Sequence, residues 1–164
     1  MRFNRWEIAF DYPRVWYEWE EPQLEMAARD IRKSLAAEPG SIPRSLQDLM
    51  VLSSADQVGG VYIGVYTFES PVTPEDFLAD RSAYFEREQA AGALTIEGIT
   101  LTTASDYPAV EVLFRRASGG RSRMLYILPG ERIIQLQFVV LDANRWGEFE
   151  SSFKYILWTL QVEW

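Results

Sequence analysis

The chain has 164 residues, 48% of them hydrophobic and 24% charged, with a formal net charge of −8. Nine Phe, eight Tyr and six Trp exclude wholesale disorder. The absence of Cys and His excludes disulfides, thiol nucleophiles, Cys- or His-ligated metal centres and histidine acid–base chemistry.

The acidic balance also disfavours non-specific nucleic-acid binding. No apolar run approaches the roughly 20 residues that span a bilayer. Residues 1–15 alternate polar and apolar, without the continuous apolar region of a signal peptide. The chain as given reads as cytoplasmic, although a mature exported form would look the same.

Trp6, Ile8, Phe10 and Tyr12 alternate with Glu7, Ala9 and Asp11, which predicts an opening strand. A break follows at Pro13–Arg14, after which Val15, Tyr17 and Trp19 oppose Trp16, Glu18 and Glu20. Pro22 suits the first turn of a helix whose apolar stripe is Leu24, Ala27, Ala28, Ile31 and Leu35, ending at Pro39–Gly40. Pro43, Leu46, Leu49 and Met50 suggest a second, short helix. GGVYIGVYTFES reads as a central strand, apolar on both faces.

Thr73, Pro74 and Asp76 then form a helix start, with Phe77, Leu78, Tyr84 and Phe85 facing inward and Gly92 as the stop. Strands follow near 95–103, 109–116, 121–128 and 132–140, joined by turns at ASGG and LPGE. Trp146, Phe149, Phe153, Leu157 and Leu160 mark a last helix over about 143–160. Consecutive hairpins require antiparallel pairing. The expected fold class is therefore α+β, an α/β/α sandwich with a mainly antiparallel sheet. One domain spans 1–164, with a helical insertion at 22–52.

The chemistry-bearing residues are few in pattern. The sequence contains no nucleotide-binding glycine loop, nucleophile elbow or calcium loop. Lys33 and Lys154 lie on predicted helices as surface anchors. Glu18, Glu20, Glu21 and Glu25 could hold a hard cation, but solvated charge at a helix start is the simpler reading. Asp30, Asp80 and Asp106 share no local context that would make an acid–base pair.

Tyr17 and Trp19 are candidates for a ligand-binding cleft, set against packing under the first helix. Arg115, Arg116, Arg121 and Arg123 bracket the turn at Ala117–Gly120, with Arg132 on the following strand. Arginines in such a ladder can grip an acidic protein partner bidentately, or simply solubilise a sheet edge.

IAFDYPRVW at 8–16 resembles the F-x-Y-P-x-x-W opening of the PsbP-like superfamily, which includes DcrB-like proteins and the Ran-binding nuclear import factor. GVYIGVYTFESPVTPEDF resembles its central strand and capped helix. DYPAVEVLFRRASGGRSRMLYILPGERIIQLQFVV resembles its hairpins, and FESSFKYILWTLQV its closing helix and final short strand.

The resemblance implies an antiparallel sheet between helices. It makes Pro13 and Trp16 structural positions of the opening, and Phe153 a core anchor. It also implies a non-catalytic accessory or protein-interaction module with no cofactor. The alternatives are a small-ligand-binding module and, further off, a carboxylate-dependent enzyme. Oligomeric state is not legible in the sequence.

Overall fold

The computed structural model describes residues 1–38 and 41–163. A small sheet opens the chain, formed by β1 (Arg2–Arg5) and β2 (Ile8–Asp11) and closed by the last strand, β10 (Gln161–Val162), in the order β1-β2-β10. Arg5 pairs with Ile8, leaving Trp6 and Glu7 as a two-residue turn, both at positive φ. The single opening strand expected from alternation is thus a hairpin. Trp6 sits at its tip, against the edge of Phe3, while Ile8, Phe10 and Tyr12 are buried as expected.

The main sheet comprises β3 (Tyr17–Glu18), β4 (Arg44–Ser53), β5 (Gly59–Phe68), β6 (Leu94–Ala104), β7 (Tyr107–Arg116), β8 (Arg121–Ile127) and β9 (Arg132–Val140). Its order is β3-β4-β5-β9-β8-β7-β6, and every neighbouring pair is antiparallel. The helices are α1 (Glu21–Ala36), α2 (Pro74–Ala90) and α3 (Trp146–Thr159). The first two cover one face of the sheet, where Ala28, Phe77 and Phe85 meet Tyr66, Val112 and Tyr126. On the other face, α3 and the small sheet bury Phe10, Trp16 and Phe153 against Val61, Leu136 and Phe138. The result is the expected α/β/α sandwich, with the small sheet sharing the second outer layer.

Local chemistry explains most of these elements. Thr73 Oγ1 accepts a hydrogen bond from the Asp76 amide at 3.1 Å, and Pro74 opens α2 where no amide donor is needed. Gly59 lets α3 approach the sheet, since a Cβ there would run into the Phe149 ring.

Residues 44–53 differ from expectation: they form a strand rather than a short helix. A bulge between Leu46 and Asp48 inserts one residue and flips the alternation. Leu46 and Leu49 therefore face α1 and α2, while Met50 and Leu52 face α3. The three-residue spacing that suggested helix is alternation shifted by one position. The segment 22–52 is accordingly one helix plus a sheet strand lying between β3 and β5, and not a helical insertion. The predicted stop at Pro39–Gly40 lies outside the described residues.

Within α1 only Ala28 is fully buried; Leu24, Ala27, Ile31 and Leu35 remain half-buried. The stripe docks on the sheet side but does not close against α2, and the gap between the two helices is a cavity.

Candidate functional site: the cavity between the first two helices

The cavity measures about 250 Å³ and lies over the sheet between α1 and α2. Tyr66, Tyr126, Gln135 and Gln137 contribute from β5, β8 and β9, whereas Ile31 and Leu35 come from α1 and Tyr84 and Phe85 from α2. Ser34, Ala93 and Arg116 are the exposed members of its lining and mark its mouth.

One end is built on Arg81, only 1% exposed at the centre of the inward face of α2. Its guanidinium lies 2.6 Å from Asp80 Oδ2 and 3.1 Å from Glu38 Oε2, and it donates to Ser41 Oγ at 3.2 Å. The Tyr84 ring centroid is 4.9 Å away. Asp80 Oδ1 accepts from the Ile42 amide at 2.6 Å, so the ion pair also holds the start of β4. Arg44, its side chain 4% exposed, pairs with Glu38 at 3.3 Å and leaves its Nε without a partner among the described residues.

Burial opposes the charge on Arg81, but its pKa is raised overall, and near neutral pH the ionised Glu38 and Asp80 keep it cationic. Burial likewise raises the pKa of Tyr66, Tyr84 and Tyr126, leaving all three as neutral hydroxyls near neutral pH. The cavity thus offers fixed donors and apolar walls. Its buried carboxylates are occupied by arginines.

Sequence reasoning passed over Arg81, although Phe77, Arg81 and Phe85 stand four residues apart and so share one helical face.

Of the arginine and aromatic candidates read from the sequence, Arg116 lines the cavity mouth and the rest lie elsewhere. Tyr17 is half-buried on β3, and Trp19 donates its indole N–H to Ser53 Oγ at 2.8 Å, its ring edge-on to Tyr62. Neither lines the cavity. Trp19 is tied by these contacts to the β3–β4 edge, where Tyr17 is paired with Ser53.

The arginine ladder is closed by carboxylates. Arg115 and Arg121 lie 2.6 and 2.8 Å from the two oxygens of Glu97, and Arg123 pairs with Glu111. Arg121 also lies 4.7 Å over the Trp146 ring. Partial burial pushes the Glu97 carboxyl up, but the two arginines push it down further, and the net shift is downward. Arg116 points to the opposite face, over Phe114 at the cavity mouth. Arg132 opens β9, opposite Thr67 and far along that strand from the Val140 that pairs with Arg121. The five arginines do not form one cationic patch.

Glu18 is paired with Arg5 at 3.0 Å, and Glu20, Glu21 and Glu25 face solvent at the start of α1. Among the described residues no three acidic side chains converge to hold a metal ion, and no helix is long and apolar enough to cross a membrane.

No family model matches the chain, and no curated protein matches it in sequence. Solved structures do resemble it. Cyanobacterial PsbP (CyanoP) from Synechocystis aligns over 99% of this chain and 92% of its own, with a TM-score of 0.65 at 11% identity. A protein from Bacteroides thetaiotaomicron aligns over 96% of this chain and 46% of its own, with a TM-score of 0.48 at 11% identity. With CyanoP matched along nearly its whole length, the chain has a PsbP-like fold.

Proposed function

We propose that the protein is a non-catalytic accessory module that works by binding another protein. The observation that carries this reading is on α3. Its inner face is core, yet Trp158, 82% exposed, and the half-exposed Tyr155 stand together on its outer side with ring centroids 6.3 Å apart. A paired Trp and Tyr facing water is the side-chain chemistry that anchors protein interfaces. The ion-paired state of Arg115, Arg121 and Arg123 argues against an acidic partner held by that hairpin, so the aromatic pair is the better candidate surface. The buried carboxylates of Glu38 and Asp80 are held by arginines, which favours a binding role over acid–base catalysis by that pair.

The test is affinity capture from the native host with the intact protein and with Y155S/W158S. A specific partner lost in the variant, whose melting temperature stays unchanged, supports the reading. Identical captured sets would remove α3 as the binding surface.

A further inference from the structure

The α1–α2 cavity holds one charge of each sign that the fold leaves unanswered. Arg81 and Arg44 are met by Asp80 and Glu38 at the distances given above. Arg116, at the mouth on β7, stacks over Phe114 at 5.5 Å and has no ion pair among the described residues. Glu88, half-buried on α2, also lines the cavity and also has no ion pair among them.

The Gln135 and Gln137 side chains and the Tyr66 hydroxyl add polar groups with no hydrogen-bond partner in the described protein. They lie on a floor that Tyr126 completes. The rest of the lining is aromatic or aliphatic, with Phe85, Leu94 and Met124 prominent.

We propose that this cavity binds a small zwitterion of amino-acid size with an apolar body, its carboxylate at Arg116 and its ammonium at Glu88. Size, charge and surface each select this class. A volume of about 250 Å³ falls below the roughly 300–1,000 Å³ of pockets for drug-sized ligands, which disfavours nucleotides and similar bulky molecules. The formal charges of Arg44, Arg81 and Arg116 cancel those of Glu38, Asp80 and Glu88. A bare anion would therefore meet Glu88 unpaired, a bare cation would meet Arg116, and only a zwitterion answers both. The apolar walls then receive a side chain. This inference is independent of the protein-binding reading, because α3 covers the opposite face of the sheet.

The test is an NMR titration of the intact protein with L-leucine and L-phenylalanine. Saturable amide shifts are expected at 84–88, 114–116 and 135–137, with a dissociation constant of about 1 mM or tighter. Hydrocinnamate and phenethylamine each lack one of the two charges. They should bind at least about tenfold more weakly, and R116Q and E88Q should each weaken the amino acids by a similar factor. Both variants alter groups outside the core, so their thermal unfolding should match the parent. Absence of saturable shifts overturns the proposal. So does hydrocinnamate binding as tightly as phenylalanine, or affinity unchanged in R116Q.

Discussion

Replacing Arg81 with methionine removes the charge on which two acids and a tyrosine converge, while keeping most of the aliphatic volume in the interior of α2. Asp80, its side chain 6% exposed, would lose the only cation paired with it among the described residues and keep the Ile42 amide as a donor. Glu38 would keep Arg44 at 3.3 Å. Removing one member of a buried ion pair costs about 3–5 kcal/mol, because the remaining charge is left uncompensated. The surviving contacts of Asp80 and Glu38 place the expected loss near about 3 kcal/mol, at the lower end of that range.

Urea denaturation followed by tryptophan fluorescence and circular dichroism would measure it. D80N in the same background removes the stranded charge, so R81M/D80N should recover about 1–2 kcal/mol relative to the sum of the single losses. R116Q serves as the surface control, expected within about 0.5 kcal/mol of the parent. If R81M lost less than about 1 kcal/mol, or the cycle showed no coupling, the ion cluster would not be what fixes α2 to the start of β4.

Trp16 is 5% exposed and meets Phe153 edge-on at 6.1 Å, so Trp16→Ala should destabilise the fold by about 3–5 kcal/mol in equilibrium denaturation. A loss below about 1 kcal/mol would reject its role as an anchor between the opening segment and α3. Asp56 accepts hydrogen bonds from Ser54 Oγ at 2.7 Å, the Val58 amide and Arg145, which lower its pKa to about 2. Its folded pKa lies below the unfolded value of about 3.9, so the ionised form favours the folded state above that pH, and this contribution fades as pH falls toward about 2. The stability difference between the parent and D56N should therefore be constant above about pH 5 and shrink between about pH 4 and 2. A gap that stays the same across that range would show that the carboxylate charge does not act there.

Where the backbone follows simple periodicity, the sequence made the fold legible; β5, β7, β8, β9, α2 and α3 fall close to their expected ranges. It misled at three places where the local signal departs from simple alternation or lacks a glycine turn. The extra residue near Gln47 in β4 imitates a helical spacing, and the turns at Trp6–Glu7 and Ser105–Asp106 use positive φ without glycine, so they carry no glycine signal. The site was less legible still, for a different physical reason. Arg121 and Arg123 do share a face as alternation requires, but their partners Glu97 and Glu111 belong to β6 and β7, so only strand register brings them within reach. The cavity depends further on sheet order, which sets β9 between β5 and β8 and so gathers Tyr66, Gln135 and Tyr126 on one floor. Each of these residues looks like ordinary core in its own segment. What makes them a site is that α1 rests on the sheet with Ile31 and Leu35 only half-covered, a property of the packing of two helices that no single stretch of sequence contains.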